Sequence, residues 1–166
     1  MNRFASAFTA LALTALLPAA LAIGAAPAAA QQATPAVTLE GLVKLEKTIE
    51  ENGKQKVVLE EPKVVVPGDK LLFTTRYRNA GAQPVDNFVV TNPVPDAVRV
   101  ADESALREQV SVDGGKAWGR LAELTVKGED GTPRPATAAD ITHIRWTVPV
   151  IAPGASGMVE YHAIVR

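Results

Sequence analysis

The chain has 166 residues, 47% of them hydrophobic and 21% charged, with 17 basic against 18 acidic side chains and no cysteine. The missing cysteine excludes a disulfide scaffold, a thiolate metal site, a cysteine nucleophile and a cysteine-linked lipid. A formal charge of -1 argues against nucleic acid or an anionic membrane surface as the main partner, and the apolar share is too high for a disordered chain.

Residues 1–30 contain one ionisable side chain, Arg3. Asn2-Arg3 leads into the apolar run Phe8–Leu17, then Pro18, and the stretch ends in Ala28-Ala29-Ala30 before Gln31-Gln32. A charged start, a short apolar centre and an Ala-x-Ala exit describe a secretory signal peptide cleaved near Ala30. The competing reading is an uncleaved anchor, which needs about 20 uninterrupted apolar residues; Pro18 and Gly24 break this run. Cleavage leaves no stable membrane span and a protein in the periplasm, on the cell surface or in the medium. A cysteine-free exported domain is more typical of bacteria than of animals. Without residues 1–30 the formal charge moves from -1 to -2 as Arg3 is lost. The remaining chain is long enough to fold as one domain without staples.

Gln31–Leu39 is uncharged and holds Pro35, so it reads as a flexible or extended leader to a domain spanning residues 40–166. Leu42–Ile49 alternates, with Val43, Leu45 and Ile49 on one face, and Asn52-Gly53 followed by Val57-Val58-Leu59 completes a hairpin. Asn-Gly is the strongest short hairpin signal because both central residues need positive φ. A helix over Leu39–Glu51 is the alternative; the β-branched content favours strands. Pro67-Gly68-Asp69 is a turn before Leu71–Arg78, where Leu71, Phe73, Thr75 and Tyr77 share the face assigned inward, and Leu72, Thr74, Arg76 and Arg78 share the other.

Val85–Thr91 is a further strand, and Asn92-Pro93-Val94-Pro95-Asp96 is an extended corner, since each proline removes a donor and restricts its predecessor. Val98–Val100 and Gln109–Val112 are short strands around Asp102–Arg107, which suits one helical turn. Asp113-Gly114-Gly115 turns toward Trp118, Leu124–Val126 is a strand, and Gly128–Ala138 is a polar loop. Ile141–Val148 alternates, with Ile144, Trp146 and Val148 opposite His143, Arg145 and Thr147; Pro153–Gly157 turns into a final strand, Met158–Val165. Together these predict an all-β fold, an antiparallel immunoglobulin-like β-sandwich of about 7–9 strands preceded by a signal peptide, with a barrel as the alternative.

No catalytic residue, cofactor site or metal site emerges. His143 and His162 each oppose an apolar face and read as solvent-facing. Gly154-Ala155-Ser156-Gly157-Met158 imitates a nucleophile elbow but carries Met158 where glycine is needed and precedes a strand. Asp69, Asp96, Asp113, Glu129 and Asp130 lack calcium-loop spacing. Trp118, Arg76 and Arg78 are the candidate partner-binding residues, weighed against a core tryptophan and an ordinary charged face.

Pro67-Gly68-Asp69-Lys70-Leu71-Leu72-Phe73-Thr74, Tyr77-Arg78-Asn79-Ala80-Gly81, Val85–Pro95 and the closing Trp146-Thr147-Val148, Ile151-Ala152-Pro153-Gly154 and Val159-Glu160-Tyr161 resemble the bacterial and archaeal surface repeat "domain of unknown function 11" over about residues 63–166. Asn92-Pro93-Val94-Pro95 departs from that family's Asp-x-Leu-Pro, and one copy stands where tandem arrays are frequent. The resemblance implies an immunoglobulin-like, extracytoplasmic domain with no catalytic residues to carry over. The leading expectation is a non-enzymatic module with a structural or adhesive role in the cell envelope, its partner a protein or an envelope polymer, or a second copy in a homo-oligomer. One alternative is a filament subunit whose leader donates a strand to a neighbour. Another is an enzyme or periplasmic ligand binder using the Trp118 region, with a deep pocket beside Trp118 or His143.

Overall fold

Strand-forming alternation and five glycine-bearing turns set the architecture of residues 36–166, which the computed structural model describes. The signal peptide expected over residues 1–30 and residues 31–35 of the expected leader lie outside the described residues. The strands are β1 (Val37–Glu51), β2 (Lys54–Glu60), β3 (Lys70–Asn79), β4 (Val85–Pro93), β5 (Val98–Val100), β6 (Gln109–Ser111), β7 (Thr125–Lys127), β8 (Pro133–Pro135), β9 (His143–Ile151) and β10 (Ser156–Val165), with one helical turn, α1 (Asp102–Ala105). Asn52 (φ 56°) and Gly53 (φ 71°) take the left-handed conformations that a two-residue hairpin demands, and β1 pairs with β2 from Glu51↔Lys54 to Leu45↔Glu60.

The sheets are antiparallel. One runs β2-β1-β3-β10-β5, the second β4-β9-β6, and β7-β8 forms a small ribbon. The two larger sheets share one apolar cluster that includes Leu45, Leu71, Val100, Val110, Ile144, Tyr161 and Ala163, so this is a two-layer sandwich. Its wiring is nested: β3 pairs with β10 in one layer and β4 pairs with β9 in the other, so the β3–β4 and β9–β10 connections both cross between layers. Aromatic contacts knit the middle. Phe73 stacks on Tyr161 with centroids 4.8 Å apart and planes 11° from parallel, and Trp146 of the opposite layer lies 6.2 Å from Tyr161.

Three expectations need correction. Val37–Leu39 are not leader: they form the start of β1, paired with Asn79, Arg78 and Tyr77. An uncharged stretch still has backbone donors and acceptors, and the exposed edge of β3 supplies partners for them. The strand count is ten among the described residues, because Gly128–Ala138 holds β8. Prolines at 133 and 135 disguise it; they are tolerated where the strand edge needs no donor. The outward face of β3 is also less open than alternation suggests. Leu72 is buried, flanked in register by Lys44 and His162.

One polar residue locks an end of the sandwich. Asn79 is completely buried. Its Nδ2 donates to the carbonyls of Gln83 (2.8 Å) and Ile151 (2.9 Å), and its Oδ1 accepts from the Gly81 amide (2.9 Å). Its backbone bonds Ala155 and Gly154. A Cβ at residue 81 would lie 3.2 Å from Asn79 Oδ1, which explains the Asn-x-Gly spacing. β3, the following turn, the end of β9 and the β9–β10 turn are thus tied by one side chain. Replacing Asn79 with Ala orphans two carbonyls and an amide; we expect a loss of about 3 kcal/mol of unfolding free energy, read by urea denaturation.

Candidate functional site

The β1–β3 and β3–β10 registers place Thr38, Arg78 and Ser156 in one cross-strand row, and Glu40, Arg76 and Met158 in another. Even-numbered positions on these strands point away from the core, because odd-numbered Leu45, Leu71 and Tyr161 belong to it. Between the rows runs a groove of about 470 Å³. Gly157 belongs to the intervening row opposite Tyr77, and any Cβ there would strike the Tyr77 ring. A side chain at 157 would therefore have to displace the Tyr77 ring from its place across this row.

Arg76 and Arg78 are both exposed. Neither takes part in a salt bridge among the described residues, although Glu40 faces Arg76 across the strand pair. The groove's lining is mostly apolar, drawn from Leu39, Tyr77, Gly157 and Met158, with Arg76, Arg78, Glu40 and the hydroxyl-bearing Thr38 and Ser156 completing it.

Trp118 is not part of this site. It is half-buried over the outward side of β9 in the other layer, with the Arg145 guanidinium 4.4 Å from its ring centroid and His143 edge-on at 6.3 Å. Its Nε1 donates to the Gly115 carbonyl (2.9 Å), and Arg145 Nε donates to Gln109 Oε1 (2.9 Å). Arg145 occupies one face of the ring. So Arg76 and Arg78 come together, and Trp118 stands apart from them. A groove lined by Arg107, Arg120, Arg145 and Trp146 measures about 360 Å³, and one that His143 lines with Pro93, Asp96 and Arg166 about 250 Å³; Trp118 lines neither.

His162 is more engaged than its strand position suggested. Its Nε2 lies 3.1 Å from Glu46, whose other oxygen is 3.5 Å from Lys70 Nζ, and Lys70 reaches Glu103 at 2.8 Å. The His162 amide donates to Ser104 Oγ (3.0 Å) and its carbonyl accepts from the Ala101 amide. This chain fastens α1 to the outer side of the larger sheet. The Glu103 hydrogen bond, with the neighbouring charge, raises the Lys70 pKa, and the same bond lowers that of Glu103. No sequence periodicity could reveal it, because it depends on how three strands are set in register.

The turn carboxylates act as backbone acceptors. Asp113 takes the amides of Lys116 and Ala117 and the Ser111 hydroxyl, Asp69 takes the Val66 amide, and Asp130 takes the Thr132 amide and hydroxyl. Among the described residues no three His, Asp or Glu side chains converge to hold a metal ion. Asp140 is the most perturbed carboxylate: Arg134 grips both its oxygens (2.7 and 2.8 Å) and the Thr137 amide and hydroxyl add to them, holding its pKa far below the usual range. Burial raises the Tyr161 phenol well above its ordinary value.

With this geometry in hand, comparison with known proteins adds no relative: no family model, curated protein or solved structure matches the chain.

Two outcomes follow from these contacts. In a Trp146→Phe background, Arg145→Ala should shift Trp118 emission to the red and lower stability by about 0.5–1 kcal/mol, the worth of a half-exposed cation–π contact. For Asp140 the folded pKa is depressed, so its contribution is present above the unfolded carboxylate pKa of about 4 and is lost as pH falls below it. Asp140→Asn should lower stability at pH 7 by about 2 kcal/mol and flatten the acid limb of the stability–pH curve, measured by urea melts between about pH 2 and 7.

Proposed function

We propose that the protein is an exported, non-enzymatic β-sandwich module of the bacterial cell envelope, working by adhesion to an acidic envelope polymer. The observation that carries this reading is the paired, exposed Arg76 and Arg78 along a groove of about 470 Å³. Guanidinium groups bind carboxylates through two parallel hydrogen bonds, and their stems lie well along a sugar ring. Thr38 and Ser156 supply hydroxyls beside Arg78, while Glu40 beside Arg76 biases a carboxylate toward the Arg78 end. Three hydrogen-bonded strands carry these groups, which gives them less freedom than a loop would. The resemblance to the surface repeat and the signal-peptide pattern of residues 1–30 support an extracytoplasmic setting.

Alginate, a polyuronate, is a suitable probe. Protein expressed with its own leader and purified after export should retard in alginate-containing native gels, with binding weakened by salt. Arg76→Ala together with Arg78→Ala should weaken it by about tenfold or more, the loss of roughly one charge-assisted contact per arginine. Trp118→Ala should leave it unchanged. Absence of retardation by the unaltered protein, or retardation indifferent to both arginines, would contradict the proposal.

A further inference from the structure

β2 is the terminal strand of the larger sheet, and its outer backbone edge is unpaired among the described residues. The arm it forms with β1 also overhangs the sandwich. β1 pairs with β3 only from Val37 to Glu46, so Lys47–Glu51 have β2 as their sole strand neighbour. Isolated two-stranded ribbons are marginal in water. This one leaves Val57 56%, Leu59 50% and Ile49 40% exposed. A free edge with an apolar centre invites strand addition unless its charges forbid it.

We infer that β2 pairs antiparallel with β2 of a second copy, with Val58 on the two-fold axis, joining the two five-stranded sheets into one. The order Lys54-Gln55-Lys56-Val57-Val58-Leu59-Glu60-Glu61-Pro62 selects this register. Opposed residues of an antiparallel pair point to the same face, so a two-fold pairing that keeps the faces continuous must be centred on a residue. Centred on Val58, each Val57 meets Leu59 of the second copy on one face. On the other, Lys56 meets Glu60 of the second copy on either side of the Val58 pair.

Every neighbouring register is worse. Centring on Lys56 opposes lysine to lysine. Centring on Val57 sets Lys56 against valine and Gln55 against leucine, and centring on Leu59 sets both valines against glutamates. The pairing ends where Pro62, which has no donor, comes opposite Lys54.

The charges already present fit the same pattern. Within one protomer Lys56 bonds Glu51 (2.8 Å) and Lys47 bonds Glu60 (2.9 Å). Adding Lys56–Glu60 contacts between copies makes an alternating row Glu51–Lys56–Glu60–Lys47 across four strands. The lysines that would repel an unrelated strand edge thereby accept this one, which is specificity by charge as well as by shape. The contact is isologous and closes at two copies, so it yields a dimer rather than a fibre.

Sedimentation equilibrium of the protein expressed with its own leader tests this. The expected result is a concentration-dependent dimer that Lys56→Glu or Glu60→Lys alone weakens by about tenfold or more, and that the double exchange restores to within about threefold. All these positions are exposed, and an unchanged circular dichroism spectrum checks each fold. Independently, Val58→Cys should give a disulfide-linked dimer on oxidation and Val57→Cys should not, because only position 58 faces itself. A monomer at about 100 µM, a dimer indifferent to both charge reversals, or a dimer abolished by deleting residues 31–36 instead would overturn the inference.

Discussion

The buried amide of Asn79 is the contact on which the rest of this sandwich depends. Sheets packed through apolar side chains alone can slide, because hydrophobic contact has no direction. Hydrogen bonds from a fully buried Asn79 to Gln83 and Ile151 do have direction, and they join a strand of one layer to a strand of the other. Leaving those groups unpaired would be costly, so the layers are held in a single alignment at this end. Arg78, next in the chain, inherits its position from that lock, as does Ser156 beyond the β9–β10 turn.

At the other end of the larger sheet an ionic chain takes over. Glu46, Lys70, Glu103 and His162 link four elements, β1, β3, α1 and β10, across its outer side. Between the lock and the chain lies the arginine groove, and beyond the chain projects the β1–β2 arm. The molecule thus separates what is fastened from what is offered: the interior and the ionic row are satisfied internally, while Arg76, Arg78 and the edge of β2 keep unused capacity among the described residues. Trp118 belongs with the fastened groups, since Arg145, His143 and the Gly115 carbonyl already engage its face, edge and nitrogen.

Much of this fold is legible in the chain because its signals are local. Asn52-Gly53 must adopt left-handed conformations, and Leu71-x-Phe73 or Ile144-x-Trp146 alternates by the geometry of a strand. The helical turn after Asp102 and the glycine turns at 114 and 154 follow from the same short-range rules. What is not local stays hidden. Proline disguises β8, and the paired start of β1 at Val37 depends on a β3 edge forty residues away. Asn79 reads as a turn residue because only tertiary packing buries it. Arg76 and Arg78 are visible as a pair on one strand face, whereas Thr38, Ser156 and Met158 join them only through register.

Native-state hydrogen exchange at the amides of Gly81, Gly154 and Ala155 tests the interlayer lock most directly. Gly81 bonds the Asn79 side chain, Gly154 bonds the Asn79 carbonyl, and Ala155 belongs to the turn whose carbonyl receives the Asn79 amide. The account predicts that Gly81 and Gly154, although in turns, exchange only through global unfolding, with the same opening free energy as core amides such as Tyr161. Exchange at the rate of an open surface loop would show that the layers are aligned by something other than Asn79.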